Sequence, residues 1–277
     1  MNRPLITLTT DFGLADPSVG ICKGVILSIA PDARILDLSH GIPRQSVIEG
    51  AGLLAAALPY FPTGIHVAVV DPGVGTGRRP VAIRVARGDT LVGPDNGLLS
   101  LAASALGGAT AAVELANDAY RLSPVSRTFH GRDIFAPAAA HLAAGVPFEA
   151  LGPSVALESL TSLDLLAPVA FPGSGAVAGS LEAVVISVDS FGTLQLLAAE
   201  SDLERSLGSL SECADLTIHV DGRSPAIASW ARTYGDVPEG ELLVLVDSYG
   251  RLAIAVNLGS AAARLRIGTG DRVTITR

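Results

Sequence analysis

From Leu5 to Val70 the chain alternates short β-rich runs with longer stretches of helical period, and this ordering constrains the fold more than any other feature. Leu5–Thr10, Ile35–Leu38 and Ile65–Val70 read as strands. Between the first two, Val19, Cys22, Val25, Ile26 and Ile29 recur at helical spacing behind Asp16-Pro17, the pattern of an N-cap with proline in the first turn. Ser46–Leu58 supplies a second helix. Ile65–Val70 is apolar on both faces, as a strand covered by helices on either side must be. The order predicts an α/β domain with a mostly parallel central sheet over residues 1–166.

Residues 167–179 are rich in Pro, Gly and Ala without periodicity and read as a linker. Beyond it the character changes. Leu181–Val188, Leu194–Ala199, Leu216–Val220, Leu242–Val246, Leu252–Val256 and Arg272–Thr276 are short β-type runs, so 180–277 is expected to form an antiparallel β-barrel domain. Two segments within it echo each other as Asp-Ser-aromatic-Gly-x-Leu: Asp189 to Leu194 and Asp247 to Leu252. Both suit hairpin turns. In the first domain, the long uncharged stretch Asn96–Val113 contains glycines and polar residues and reads as a buried helix and loop, not a membrane span.

With 277 residues and 49% apolar side chains, the chain has ample material for a core. A net charge of −8 argues against a nucleic-acid partner, which needs a concentrated basic face. Cys22 and Cys213 show no pairing that suggests a disulfide framework or zinc ribbon. The apolar run before Asp11 is too short for a signal peptide, so a cytoplasmic location is expected. His40, His66, His141 and His219 lack metal-ligand spacing and are expected to be structural.

Ligands of open parallel sheets bind beyond the carboxyl ends of the strands, where Asp11 and Asp71 each follow an apolar run. Acids there also cap helices and form turns. After Asp71 comes Pro72-Gly73-Val74-Gly75-Thr76-Gly77-Arg78-Arg79, a glycine-rich loop without nucleotide-motif spacing and followed by an apparent strand, Pro80–Ala86. Such a loop lets backbone approach a ligand while Arg78 or Arg79 folds back toward Asp71. His130, between Phe129 and Gly131 at the start of a helical run, is either an exposed functional imidazole or a local partner of Asp133.

Five segments together resemble the S-adenosyl-L-methionine (SAM) hydrolases, also called SAM hydroxide adenosyltransferases, relatives of the fluorinase and chlorinase. They are Thr9-Thr10-Asp11-Phe12-Gly13, Val70-Asp71-Pro72-Gly73-Val74-Gly75-Thr76, Gly93-Pro94-Asp95-Asn96-Gly97, Phe129-His130-Gly131-Arg132-Asp133 and the run from Ser248 to Asn257. The resemblance implies an N-terminal α/β domain, a C-terminal β-barrel and a homotrimer with sites at subunit interfaces. It implies attack of activated water on the ribose 5′ carbon of SAM, giving adenosine and methionine. SAM is then the substrate, and no cofactor or metal is implied.

The family's Asp-Arg-His set maps onto Asp71, Arg78 and His130. Asp11 resembles the ribose-binding carboxylate, Asp189 and Ser248 the contacts to the methionine end, and Phe191 and the Leu258 backbone the contacts to adenine. Asn96 lies in a matching motif, and Phe129 and Tyr234 are further candidates for stacking on the base. Thr193 replaces an Asn of many relatives, and Tyr249 stands where the halogenating relatives have an arginine. Those relatives also carry Tyr-Pro in place of Asp71-Pro72 and an insertion absent here between Arg87 and Asn96. The alternatives are a non-catalytic SAM or adenosine-binding module and a SAM-dependent halogenase.

Overall fold

The computed structural model describes residues 3–277 except Asp164, Leu166 and 174–178. The expected domain boundary at Leu166 and the middle of the expected linker therefore lie outside the described residues. The chain divides into two compact units, Met1–Leu163 and Asp164–Arg277. Among the described residues no helix is long and apolar enough to cross a membrane.

The first unit runs β1 (Leu5–Thr10), α1 (Ser18–Ile29), β2 (Arg34–Ser39), α2 (Val47–Ala57), β3 (Ile65–Val69), β4 (Pro80–Val85), β5 (Thr90–Pro94), α3 (Ser100–Ala105), β6 (Ala109–Glu114) and α4 (Ala136–Ala143). Its sheet has the order β2-β1-β3-β5-β4-β6. The first four strands are mutually parallel, and β4 runs against both β5 and β6. Alternation along the strands builds a core on each face. Ile6, Leu8, Val67 and Val69 pack with Cys22 and Ile26 of α1 and Ala139 of α4, whereas Ala68, Ile83 and Leu91 pack with Leu54 of α2 and Ala102 of α3.

Two details depart from the sequence reading. Pro17, not Asp16, occupies the N-cap position of α1, and the Asp16 carboxylate instead accepts the Ser18 N–H at 2.8 Å. The stretch Asn96–Val113 holds a short helix, but its end is strand β6, whose successive residues Ala112 and Val113 bury into opposite cores. The sheet also encloses a polar seam. His66 Nδ1 lies 2.9 Å from Thr7 Oγ1 and its Nε2 lies 2.9 Å from Asp89, which Arg87 engages in turn. Burial holds the His66 pKa below its ordinary value, with Asp89 opposing the shift.

The second unit comprises β7 (Val169–Phe171), β8 (Ser180–Val188), β9 (Leu194–Ala199), α5 (Glu200–Leu207), β10 (Asp215–His219), β11 (Ala226–Trp230), β12 (Leu242–Val246), β13 (Arg251–Val256), α6 (Ala261–Leu265) and β14 (Arg272–Thr276). Pairing of β14 with β8 closes the strands β8 to β14 into a seven-stranded barrel, and β7 adds to the outside of β8. The barrel is antiparallel except where β11 meets β12. Two strands lie where none is expected. β7 occupies part of the supposed linker, its backbone groups satisfied by β8, and β11 is a five-residue strand too short to declare a period.

Candidate active site

The antiparallel β4 explains why two residues seven apart can meet. In a right-handed crossover the strand after β3 would start at the opposite edge of the sheet. Here the connection from β3 skips over the position of β5 and enters β4 at the same edge, so Asp71 at one end of the loop faces Arg78 at the other. The carboxyl ends of β1 and β5 reach this edge too, bringing Asp11 and Asn96. The loop is shaped by backbone bonds from Val74 N to Asp71 O and from Thr76 N to Gly73 O, both 3.2 Å. Gly75 sits at φ 75°, and a Cβ there would lie 2.3 Å from the Arg127 carbonyl oxygen, so only glycine fits.

Arg78 grips Asp71 in a bidentate pair: Nε donates to Oδ1 at 3.1 Å and Nη2 donates to Oδ2. The two side chains are only 7% and 5% exposed. Nη2 also lies 3.0 Å from His130 Nδ1. The guanidinium stands 5.4 Å from the Phe135 ring centroid, and its Nη1 is buried with no hydrogen-bond partner in the protein. A guanidinium can only donate, so His130 Nδ1 must accept and the neutral ring carries its proton on Nε2. Burial, then the nearby Arg78 charge, holds the His130 pKa below the ordinary histidine value, although Asp71 and Asp133 oppose this.

His130 enters from a wide helical turn, Gly131–Phe135, that runs into α4. Asp133, its possible local partner, is engaged elsewhere: it pairs with Arg132 and accepts the Ser126 N–H at 2.8 Å. Arg79 likewise turns away from Asp71. It pairs with Asp95 and donates to Ser159 Oγ at 3.1 Å, clamping a neighbouring loop.

Asp11, Asp71, Phe129 and His130 line one cavity of about 220 Å³, joined by Phe12 and Gln45. Phe12 and Phe129 meet edge to face at 5.8 Å between centroids. Asn96 is not on the cavity wall. Its Nδ2 donates to the Val70 carbonyl at 2.9 Å and its Oδ1 accepts from Leu98 N, so it secures the strand end that leads into Asp71.

In the second unit, Asp189, Phe191, Thr193, Tyr234, Asn257 and Leu258 border a cavity of about 690 Å³. The sequence echo is a structural repeat. Asp189 Oδ1 accepts the Phe191 and Thr193 N–H groups at 2.9 Å each, and Asp247 Oδ1 accepts those of Tyr249 and Arg251 at 2.8 and 3.0 Å. Each acid therefore builds its own hairpin turn with one oxygen. Phe191 is 79% exposed and Leu258 82%. Ser248 and Tyr249 lie on the second turn, outside this cavity lining.

Sequence reasoning missed Phe12 and Gln45. Gln45 acts through its backbone N–H, which donates to Asp11 Oδ2 at 2.8 Å, and no side-chain pattern announces that. Its φ of 65° and the 53° of Leu258 put a non-glycine residue in left-handed conformation beside each cavity.

Fold and site together define an α/β-plus-barrel protein with a carboxylate, guanidinium and imidazole centre at its strand ends. Residues 6–152 match the SAM hydroxide adenosyltransferase N-terminal domain and residues 183–274 the C-terminal domain. The chain belongs to that family. It is 48% identical over 273 residues to an (R)-S-adenosyl-L-methionine hydrolase of Salinispora tropica, covering 99% of this chain and 98% of the relative. A fluorinase from an Actinoplanes species is 29% identical over 300 residues, covering 99% and 98%. The crystal structure of an uncharacterized conserved protein from Thermotoga maritima superposes with a TM-score of 0.87 at 35% identity, over 98% of this chain and all of the other.

Proposed function

We propose that the protein hydrolyses S-adenosyl-L-methionine, in the R configuration at sulfur specified for its relative, to adenosine and L-methionine. The observation that carries this reading is the bonded Asp71, Arg78 and His130 set, whose acid and imidazole line one cavity with Asp11. A sulfonium leaves as a neutral thioether, so the leaving group needs no acid and the reaction needs no metal or other cofactor. The barrier lies in the nucleophile. Water must be aligned behind the 5′ carbon and lose a proton as its oxygen forms the new bond and the sulfur–carbon bond breaks.

The hydrogen-bond pattern divides the labour. His130, protonated on Nε2, serves as a donor that orients the water oxygen and cannot take its proton in this tautomer. Asp71 is the acceptor, oriented by its bidentate pair with Arg78. Arg78 supplies fixed positive charge beside the developing hydroxide. Asp11 accepts the ribose hydroxyls, a role for an acceptor-only group. Asp189 and Ser248 meet the methionine end, and Phe191, Tyr234 and the Leu258 backbone receive the base.

The exposed Phe191 and Leu258, with Tyr234 half exposed, give this cavity an apolar rim that supports assembly as a homotrimer with sites completed between subunits. The expected setting is the cytoplasm. Incubation with the R and S epimers in heavy-oxygen water tests the chemistry: label in the adenosine 5′ hydroxyl is expected. A 5′-halogenated product in the presence of chloride or fluoride, or tight binding without turnover, would overturn it. Mixing Asp71→Asn subunits with Phe191→Ala subunits tests the shared site, since only sites built from two subunits recover the wild-type KM.

A further inference from the structure

The turn that carries Asp11 is held by two buried residues that the hydrolysis does not use. Thr10 Oγ1 accepts the Phe12 N–H at 3.2 Å and lies 2.8 Å from His40 Nδ1. The His40 carbonyl oxygen accepts the Gly13 N–H at 2.9 Å. His40 thus holds the turn twice: its side chain reaches Thr10 just before Asp11, and its backbone fixes Gly13 just after. Thr10 is 4% exposed and His40 6%. His40 Nε2 lies 3.0 Å from Asp37 Oδ1, within ion-pairing distance though not aligned as a hydrogen bond, and Lys23 pairs with the other Asp37 oxygen at 2.6 Å.

Hydroxyl chemistry orders this chain. With one lone pair of Thr10 Oγ1 taken by Phe12 N–H, its own hydrogen is available to His40 Nδ1, which leaves the imidazole proton on Nε2 facing Asp37. The loop after His40 then returns to the same place. Gln45 N–H donates to Asp11 Oδ2 at 2.8 Å and so fixes the carboxylate plane, leaving Oδ1 and the second lone pair of Oδ2 for a ligand. Burying a hydroxyl and an imidazole at a strand end costs stability unless both are satisfied. Their arrangement makes sense as orientation of the carboxylate between them.

We propose that Thr10 and His40 are positioning residues that set the Asp11 carboxylate to receive both hydroxyls of the substrate ribose. This rests on the reading of Asp11 as the ribose acceptor. Two vicinal hydroxyls can both donate to one carboxylate in a narrow range of orientations, so a turn that rocks by a few tenths of an ångström keeps one bond and loses the other. The ribose hydroxyls do not change during substitution, so their loss raises KM and leaves kcat near its wild-type value.

The discriminating measurement is the ratio of adenosine to 2′-deoxyadenosine affinity, by calorimetry, beside KM and kcat for hydrolysis. Thr10→Val keeps the shape and removes the hydroxyl, and is expected to raise KM about 10-fold and to collapse the ratio toward one. Thr10→Ser, which restores the hydroxyl, and His40→Asn, whose amide oxygen can replace Nδ1, are expected to keep most of the ratio. Asp11→Asn is the reference. If Asp11→Asn leaves the ratio intact, the ribose reading of Asp11 is overturned and the proposal falls with it. If Asp11→Asn collapses the ratio but Thr10→Val only lowers thermal stability, the ribose reading stands and the positioning role is refuted.

Discussion

The two cavities are built on opposite plans. In the first unit the polar side chains are bonded within the protein before any ligand arrives: Asp71 to Arg78, Arg78 to His130, and Asp11 to the backbone N–H of Gln45. In the second, the acids spend one oxygen each on their own turns and the walls are apolar side chains left in the open, Phe191 and Leu258 above all. Preorganised charge suits a chemical step, because its dipoles need no reordering when hydroxide develops. Exposed apolar surface suits a binding step, because its energy is gained only when something covers it.

That contrast can be broken from either side. The largest effect is expected from Asp71→Asn, which removes the proposed proton acceptor and keeps the shape: kcat should fall by about 10²–10⁴-fold with KM near wild type, measured as initial rates of adenosine release. Equal losses in kcat and in binding would mean that the first cavity binds more than it catalyses. Next comes Gly75→Ala. The new Cβ would sit 2.3 Å from a carbonyl oxygen at a φ of 75°, so a loss of about 1–3 kcal/mol in urea unfolding, together with lower kcat, is expected.

Phe191→Ala should do the reverse, raising KM by about two- to tenfold, from roughly 0.5–1.5 kcal/mol of ring packing, while the melting temperature stays put, since the ring is 79% exposed. The smallest effects are in pH. His130 must be neutral to accept from Arg78, so kcat/KM should fall only at pH below the range of an ordinary histidine. His66 sharpens the point for stability. Its native pKa is depressed, so the unfolded chain binds the proton first as pH falls, and stability should decline from the ordinary histidine range downward and be flat above it.

Much of the first unit was legible because its signals are periodic and its acids follow apolar runs. The core-facing positions of α1, the strand before Asp71 and the return of Arg78 toward that carboxylate can all be argued from spacing. The choice between Arg78 and Arg79 cannot. It depends on Asp95 and Ser159, which draw Arg79 away and are distant in sequence. His130 was ambiguous for the same reason, because its partner is 52 positions away while Asp133 is three. Strands β7 and β11 are short and paired on terms set by their neighbours, and Gln45 contributes only backbone. Asn96 shows the opposite failure: its motif is plain, but its amide serves the backbone of Val70.

The reversed strand β4 also fixes the order in which the centre comes apart. Asp71 and Arg78 close a loop of seven residues, whereas Arg78 and His130 close one of 52. At about 0.6 kcal/mol for each doubling of loop length, the imidazole contact costs about 2 kcal/mol more chain entropy than the carboxylate contact. In a protein loosened by heat or denaturant, the acid and its cation should stay together after the histidine has left, so the centre sheds its imidazole before its carboxylate pair.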